Sequence, residues 1–130
     1  MERNPTDLQL RFELGERLLD SGNFNDAIPE LQKARQNPNA RLRAMSLLGR
    51  CFILKGMYDM AATQLETASA EMVAMDAVKK DTLYELALLY ERMNQRDKYI
   101  KCIKDIAEVD YTYKDVAQRI ERFYTDSAGS

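Results

Sequence analysis

The sequence predicts an all-α protein of about seven helices, arranged as antiparallel helical hairpins stacked into a right-handed α-solenoid. Apolar residues recur at helical spacing: Leu10, Leu14 and Leu18 stand at i, i+4 and i+8, on one helix face. Glycines interrupt the pattern at Gly22 and Gly56, where a left-handed residue closes a helix. The segment LGERLLDSGNFNDAI from Leu14 returns from Leu48 as LGRCFILKGMYDMAA.

The elements follow in order. The Leu10–Leu14–Leu18 stripe makes a first helix, DSGNF turns the chain, and Asn25 is a fair N-cap for DAIPELQKARQ. Pro29 then lies about one turn in, where its missing N–H costs little, and NPN at 37–39 ends the helix. The second unit repeats this. Ala44, Leu48 and Phe52 form the stripe, KGMYD turns, and MAATQLETASAEMVAM is the second helix. The third has Leu83, Leu86 and Tyr90, a turn at MNQRD, and KYIKCIKDIAEV. KDVAQRIERFY places Val116, Ile120 and Phe123 on one face of a seventh helix, and the small polar tail TDSAGS is expected to fray.

The step from Gly15 to Gly49 equals the step from Ala27 to Ala61. From Gly49 to Ala87, and from Ala61 to Tyr99, the step is longer by four, so the third unit is displaced by about one helical turn. EMVAMDAVKKD, which holds the extra residues, reads as a lengthened helix end. Gly15, Gly49 and Ala87 are small where the helices of a hairpin meet, with Ala27 and Ala61 as counterparts across the contact. A larger side chain there would overpack the joint by roughly 1–3 kcal/mol.

A helix–turn–helix returning every ~34 residues has the period of the tetratricopeptide repeat, and the residues match slot by slot. A large residue, Leu-Gly and an aromatic are met by Leu14, Gly15 and Leu18; by Met45, Leu48, Gly49 and Phe52; and by Leu83, Leu86, Ala87 and Tyr90. The second-helix alanine and its large partner appear as Ala27 with Leu31 and Ala61 with Leu65. The chain thus resembles three tandem tetratricopeptide repeats at 8–40, 42–75 and 80–113, with a capping helix at 114–124. Together they make one domain over 1–124, followed by a disordered tail at 125–130. It departs from the pattern at Arg11 in a large slot, Asn94 in the turn glycine slot and Tyr99 in an alanine slot.

Composition narrows the function. A net charge of −2 disfavours nucleic acid or an anionic membrane as a bulk electrostatic partner. No run approaches the roughly 18 apolar residues of a membrane span, and the N-terminus has no secretory pattern, so the cytosol is the expected compartment. Cys51 and Cys102 lie far apart without metal spacing. Buried reduced thiols are the plainer reading and a disulfide the alternative. There is no histidine, which removes the common nucleophilic triads and most transition-metal sites. No phosphate loop or dinucleotide turn is written. The expectation is a protein without catalytic residues, metal or cofactor.

In the family it resembles, the first helix of each repeat lines a concave groove for a peptide or extended segment of another protein. Carried over slot by slot, the groove would hold Phe12, Glu16 and Leu19, then Arg43, Arg50 and Ile53, then Tyr84, Leu88 and Glu91. For Phe12, Tyr84 and Leu88 the competing reading is packing between repeats. For Arg50 it is an ion pair with Glu16 or Glu91. The slots that clamp a chaperone's C-terminal carboxylate hold Gln9, Glu13, Arg43, Leu47, Asp81 and Glu85, whose acids would repel it. An adaptor, monomeric or weakly self-associating, is the first reading. Self-assembly or a structural scaffold role through Met57, Met60, Met72 or Met75 is the second, and an escort of secreted substrates the third.

Overall fold

Each hairpin turn is closed by the same pair of backbone bonds. In the computed structural model, which describes residues 5–128, Asn23 N donates to Leu18 O at 2.8 Å and Gly22 N to Leu19 O at 3.0 Å. Met57 with Phe52, and Gly56 with Ile53, repeat this at 2.8 and 3.0 Å; Gln95 with Tyr90, and Asn94 with Glu91, at 2.9 and 3.2 Å. This six-to-one and five-to-two pairing caps a helix through one left-handed residue. Gly22, Gly56 and Asn94 hold φ at +82°, +76° and +59°. Asparagine tolerates that conformation better than most side chains, so the departure at Asn94 leaves the turn intact.

The helices are α1 (Pro5–Asp20), α2 (Phe24–Ala34), α3 (Arg41–Leu54), α4 (Tyr58–Glu71), α5 (Ala77–Arg92), α6 (Arg96–Val109) and α7 (Val116–Ala128). They fall into two compact units, Met1–Glu71 and Met72–Ser130.

In the first unit α1 pairs with α2, α3 pairs with α4, and α2 packs on α3. A β-carbon on Gly15 would lie 2.7 Å from Leu31 Cδ2, and one on Gly49 2.8 Å from Leu65 Cδ2. The glycines therefore leave room for the large residue of the second helix. Ala27 and Ala61 are themselves fully buried.

The core face of α1 is also corrected. Leu8, Phe12 and Leu19 are buried, whereas Leu10 and Leu14 are 56% and 42% exposed. In the next repeat, where α2 precedes α3, the matching Ala44, Leu48 and Phe52 are buried. The N-cap of α2 is Asn23, not Asn25, which puts Pro29 in the second turn. Asn25 Oδ1 instead accepts from Lys55 Nζ, tying the first turn to the second.

In the second unit α5 pairs with α6, and α7 packs on α6 with Val116 fully buried. The four extra residues do not lengthen a helix: α4 stops at Glu71 and the chain is irregular until Asp76. There the Asp76 side chain caps α5 by accepting from Lys79 N at 2.9 Å, a preferred N-cap interaction. The segment expected to fray from residue 125 continues α7 through Ala128; residues 129 and 130 lie outside the described residues. Cys51 and Cys102 are buried and not joined in a disulfide, and burial pushes the Cys51 thiol up.

Candidate interaction surface

Within the first unit, α1 and α3 lie side by side. Phe12 is 1% exposed, with the Arg43 guanidinium 4.5 Å above its ring centroid. Leu19 is buried as well. Both side chains are buried, Phe12 beneath a residue of the next repeat, so the groove expectation for them gives way: a ring covered by a neighbouring guanidinium has little apolar area left to offer a partner. What stays accessible is polar. Glu13 and Asp20 are exposed on α1 with Glu16 half-buried; Arg43 and Arg50 are exposed on α3, with Ile53 half-buried. One helix is acid-rich and the other carries two guanidinium groups beside an aliphatic side chain.

The second unit ties its first-helix residues to the loop before α7 and to α7 itself. The Tyr84 hydroxyl donates to Asp115 Oδ1 at 2.6 Å, and its ring meets Tyr113 edge-on at 5.9 Å. Tyr113 donates to Asp81, and Lys80 pairs with Asp110 at 3.0 Å. Arg119 donates to Asp115 through Nε at 2.9 Å, and through Nη1 to Glu91 at 3.4 Å and to the Tyr99 hydroxyl at 3.1 Å. Tyr84 and Glu91 are thus engaged within the unit, and Leu88 is half-buried between them in sequence.

Burial and then the bond to Asp115 push the Tyr84 phenol up; burial and Asp81 do the same for Tyr113. For Asp115, burial would raise the carboxyl, but the bonds from Tyr84 and Arg119 outweigh it and hold it low. Lys80, followed by Thr112, holds Asp110 low.

A cleft of about 340 Å³ opens beside this network, with Arg96, Arg119, Arg122 and Phe123 facing Glu91 and Asp126. Arg96 stacks on Phe123 at 4.7 Å. Its charge is mixed rather than uniformly basic. The sequence reading missed this cleft. Its available signals were Tyr99 in an alanine slot and the Arg119, Arg122, Phe123 spacing along one helix face. Among the described residues no group of three cysteine or acidic side chains is placed to hold a metal ion, and no helix is long and apolar enough to cross a membrane.

A family model described as tetratricopeptide repeat matches residues 18–79. Among curated proteins none matches the chain. Solved structures do. The chain is similar to MamA, with 25% identity and a TM-score of 0.76 over 96% of this chain and 71% of that one. It is similar to YrrB, described as a TPR protein with an unusual peptide-binding site, with 21% identity and a TM-score of 0.70 over 94% of this chain and 58% of that one. The P58(IPK) TPR domain shares the fold at 17% identity and a TM-score of 0.78, over 92% of this chain and 32% of that one. With its repeated Leu-Gly slots, its left-handed hairpin turns and these matches, the chain carries the tetratricopeptide-repeat pattern over residues 18–79 and shares the fold of tetratricopeptide-repeat structures over most of its length.

Proposed function

We propose that this chain is a non-enzymatic protein–protein interaction module, an adaptor that binds an extended segment of another protein on the first-helix face of its repeats. The observation that carries this reading is the α1–α3 face. Its aromatic residue is sunk into the packing, while Glu13, Glu16 and Asp20 stand on one helix and Arg43, Arg50 and Ile53 on the next. Rows of opposite charge on adjacent helices suit a segment with an acidic and an aliphatic residue toward α3 and a basic residue toward α1. Charge complementarity of this kind sets specificity and register more than raw affinity. The peptide-binding site named for YrrB makes a peptide the natural ligand class. Nucleic acid is disfavoured by the same acids, and the cytosol remains the compartment we assign.

The test is selection of peptides from a random display library on the purified protein, followed by titration of the best binder. An Arg43→Glu, Arg50→Glu variant with unchanged helicity is expected to bind it at least about tenfold more weakly, 1.4 kcal/mol. Equal affinity for the two proteins removes this face as the working surface.

A specific observation favours self-assembly as the second reading. Leu54, Met57 and Met60 are exposed around the α3–α4 turn, whereas the slots one repeat earlier hold Asp20, Asn23 and Asp26. Methionine adapts to irregular interfaces. A concentration-dependent dimer lost in a Met57→Ser, Met60→Ser variant would move this reading ahead.

A further inference from the structure

The first repeat carries an apolar face that packing inside the described residues leaves uncovered. Leu10 and Leu14 are exposed and Leu18 is half-buried. One repeat later the same slots hold Ala44, Leu48 and Phe52, all buried. Both first helices have their own second helix, α2 for α1 and α4 for α3. Within this unit α3 differs in having another hairpin's second helix, α2, packed in front of it. A terminal repeat that ended the stack would carry polar residues on its outer face. This one carries three leucines at i, i+4 and i+8, beside a cleft of about 300 Å³ between Asp7, Leu10, Arg11 and Leu14.

We infer that the Leu10–Leu14–Leu18 face is a docking surface for the second helix of a further tetratricopeptide hairpin, stacked in front of α1 as α2 stacks in front of α3. The repeat register identifies the occupant. It is an amphipathic helix with alternating small and large apolar residues, of the kind α2 carries at Ala27, Ile28, Leu31 and Ala34. A second copy meeting this chain α1 to α1 fits less well. Three leucines on one helix fall short of the roughly 1,200 Å² that a stable protein–protein interface buries. The inference is independent of which segment the α1–α3 face binds.

The experiment extends the chain in its own register by placing a copy of the segment 5–38 directly before Pro5, so that the added second helix falls one repeat ahead of α2. Hydrogen exchange of the α1 amides is then compared in the parent and the extended protein, each with and without Leu10→Asp, Leu14→Asp at the original α1. The extension is expected to slow α1 exchange at least about tenfold. The aspartates are expected to abolish that gain while changing the parent by less than twofold. An added hairpin that stays unfolded by circular dichroism, or α1 exchange that does not slow, overturns the inference. So does an equal aspartate effect in parent and extended protein. Sedimentation of the parent separates the rival occupant: a dimer that the aspartates dissolve overturns the inference in favour of self-pairing.

Discussion

The Tyr99 hydroxyl accepts a hydrogen bond from Arg119 Nη1 at 3.1 Å, joining the first turn of α6 to α7. Arg119 also holds Asp115 and Glu91, so the aromatic residue in an alanine slot belongs to a network that anchors the last helix. Tyr99→Ala removes a buried ring and is expected to cost about 3–5 kcal/mol, as for other large aromatic truncations. Tyr99→Phe keeps the ring and is expected to cost about 1.5–3 kcal/mol, the worth of a bond to a charged group. Urea unfolding of the three proteins checks both. A Phe variant as damaged as the Ala variant would mean that the bond, not the ring, is what matters.

Gly15→Ala and Gly49→Ala set two effects against each other. Alanine gains about 1 kcal/mol of helix propensity over glycine. Its β-carbon, however, would lie under 3.0 Å from a fully buried leucine in each case. Since Leu31 and Leu65 have no solvent side to retreat to, overpacking of roughly 1–3 kcal/mol wins, and both variants should be less stable than the parent. A rise in the urea midpoint of either would show that the hairpin relaxes at no cost.

Phe12 and Leu14 are close in sequence and should behave oppositely. Phe12→Ala empties a buried site and is expected to cost about 3–5 kcal/mol. Leu14→Ala trims a side chain already 42% exposed and should cost less than about 1 kcal/mol, within the usual range for surface changes. Chemical denaturation decides; a neutral Phe12→Ala would return that ring to the candidate groove.

The carboxyls of Asp110 and Asp115 sit below their ordinary value of about 3.9. Their contribution is complete above that unfolded value and is lost as pH falls through the lower folded one. The phenols of Tyr84 and Tyr113 sit above about 10. They contribute in full below that value and lose it as pH rises through the folded one. The second unit should therefore show a plateau of stability between about pH 5 and 9, falling at both ends. Hydrogen exchange across pH is the measurement. Asp115→Asn should shallow the acid limb, and an acid limb unchanged in that variant removes Asp115 as its source.

Much of this was legible in the residues. The return of Gly15 at Gly49 and the turn glycines at Gly22 and Gly56 announce the hairpins, because each reports a local backbone requirement. Which flank of a first helix meets a neighbour is a different matter. Leu10 and Phe12 sit about 160° apart at roughly 100° per residue, and both are apolar, so composition alone does not choose between them. The stretch before α5 misled for a related reason: Glu71, Met72, Ala74, Met75 and Ala77 include several good helix formers. Asp76 was the available sign of a break. The Tyr84–Asp115–Arg119 network joins α5 to α7 through a loop distant in sequence, and no periodicity records that.

The three hairpin turns ask for one residue able to hold a positive φ and are otherwise written differently: SGN, KGM and MNQ. Their capping bonds run from backbone to backbone, so closing the turn does not depend on the flanking side chains. Such a joint lets a lineage rewrite its surface chemistry turn by turn, from Asp20 and Asn23 to Leu54 and Met57, while inheriting the same architecture underneath. New binding specificity can thus evolve in this chain without a new fold.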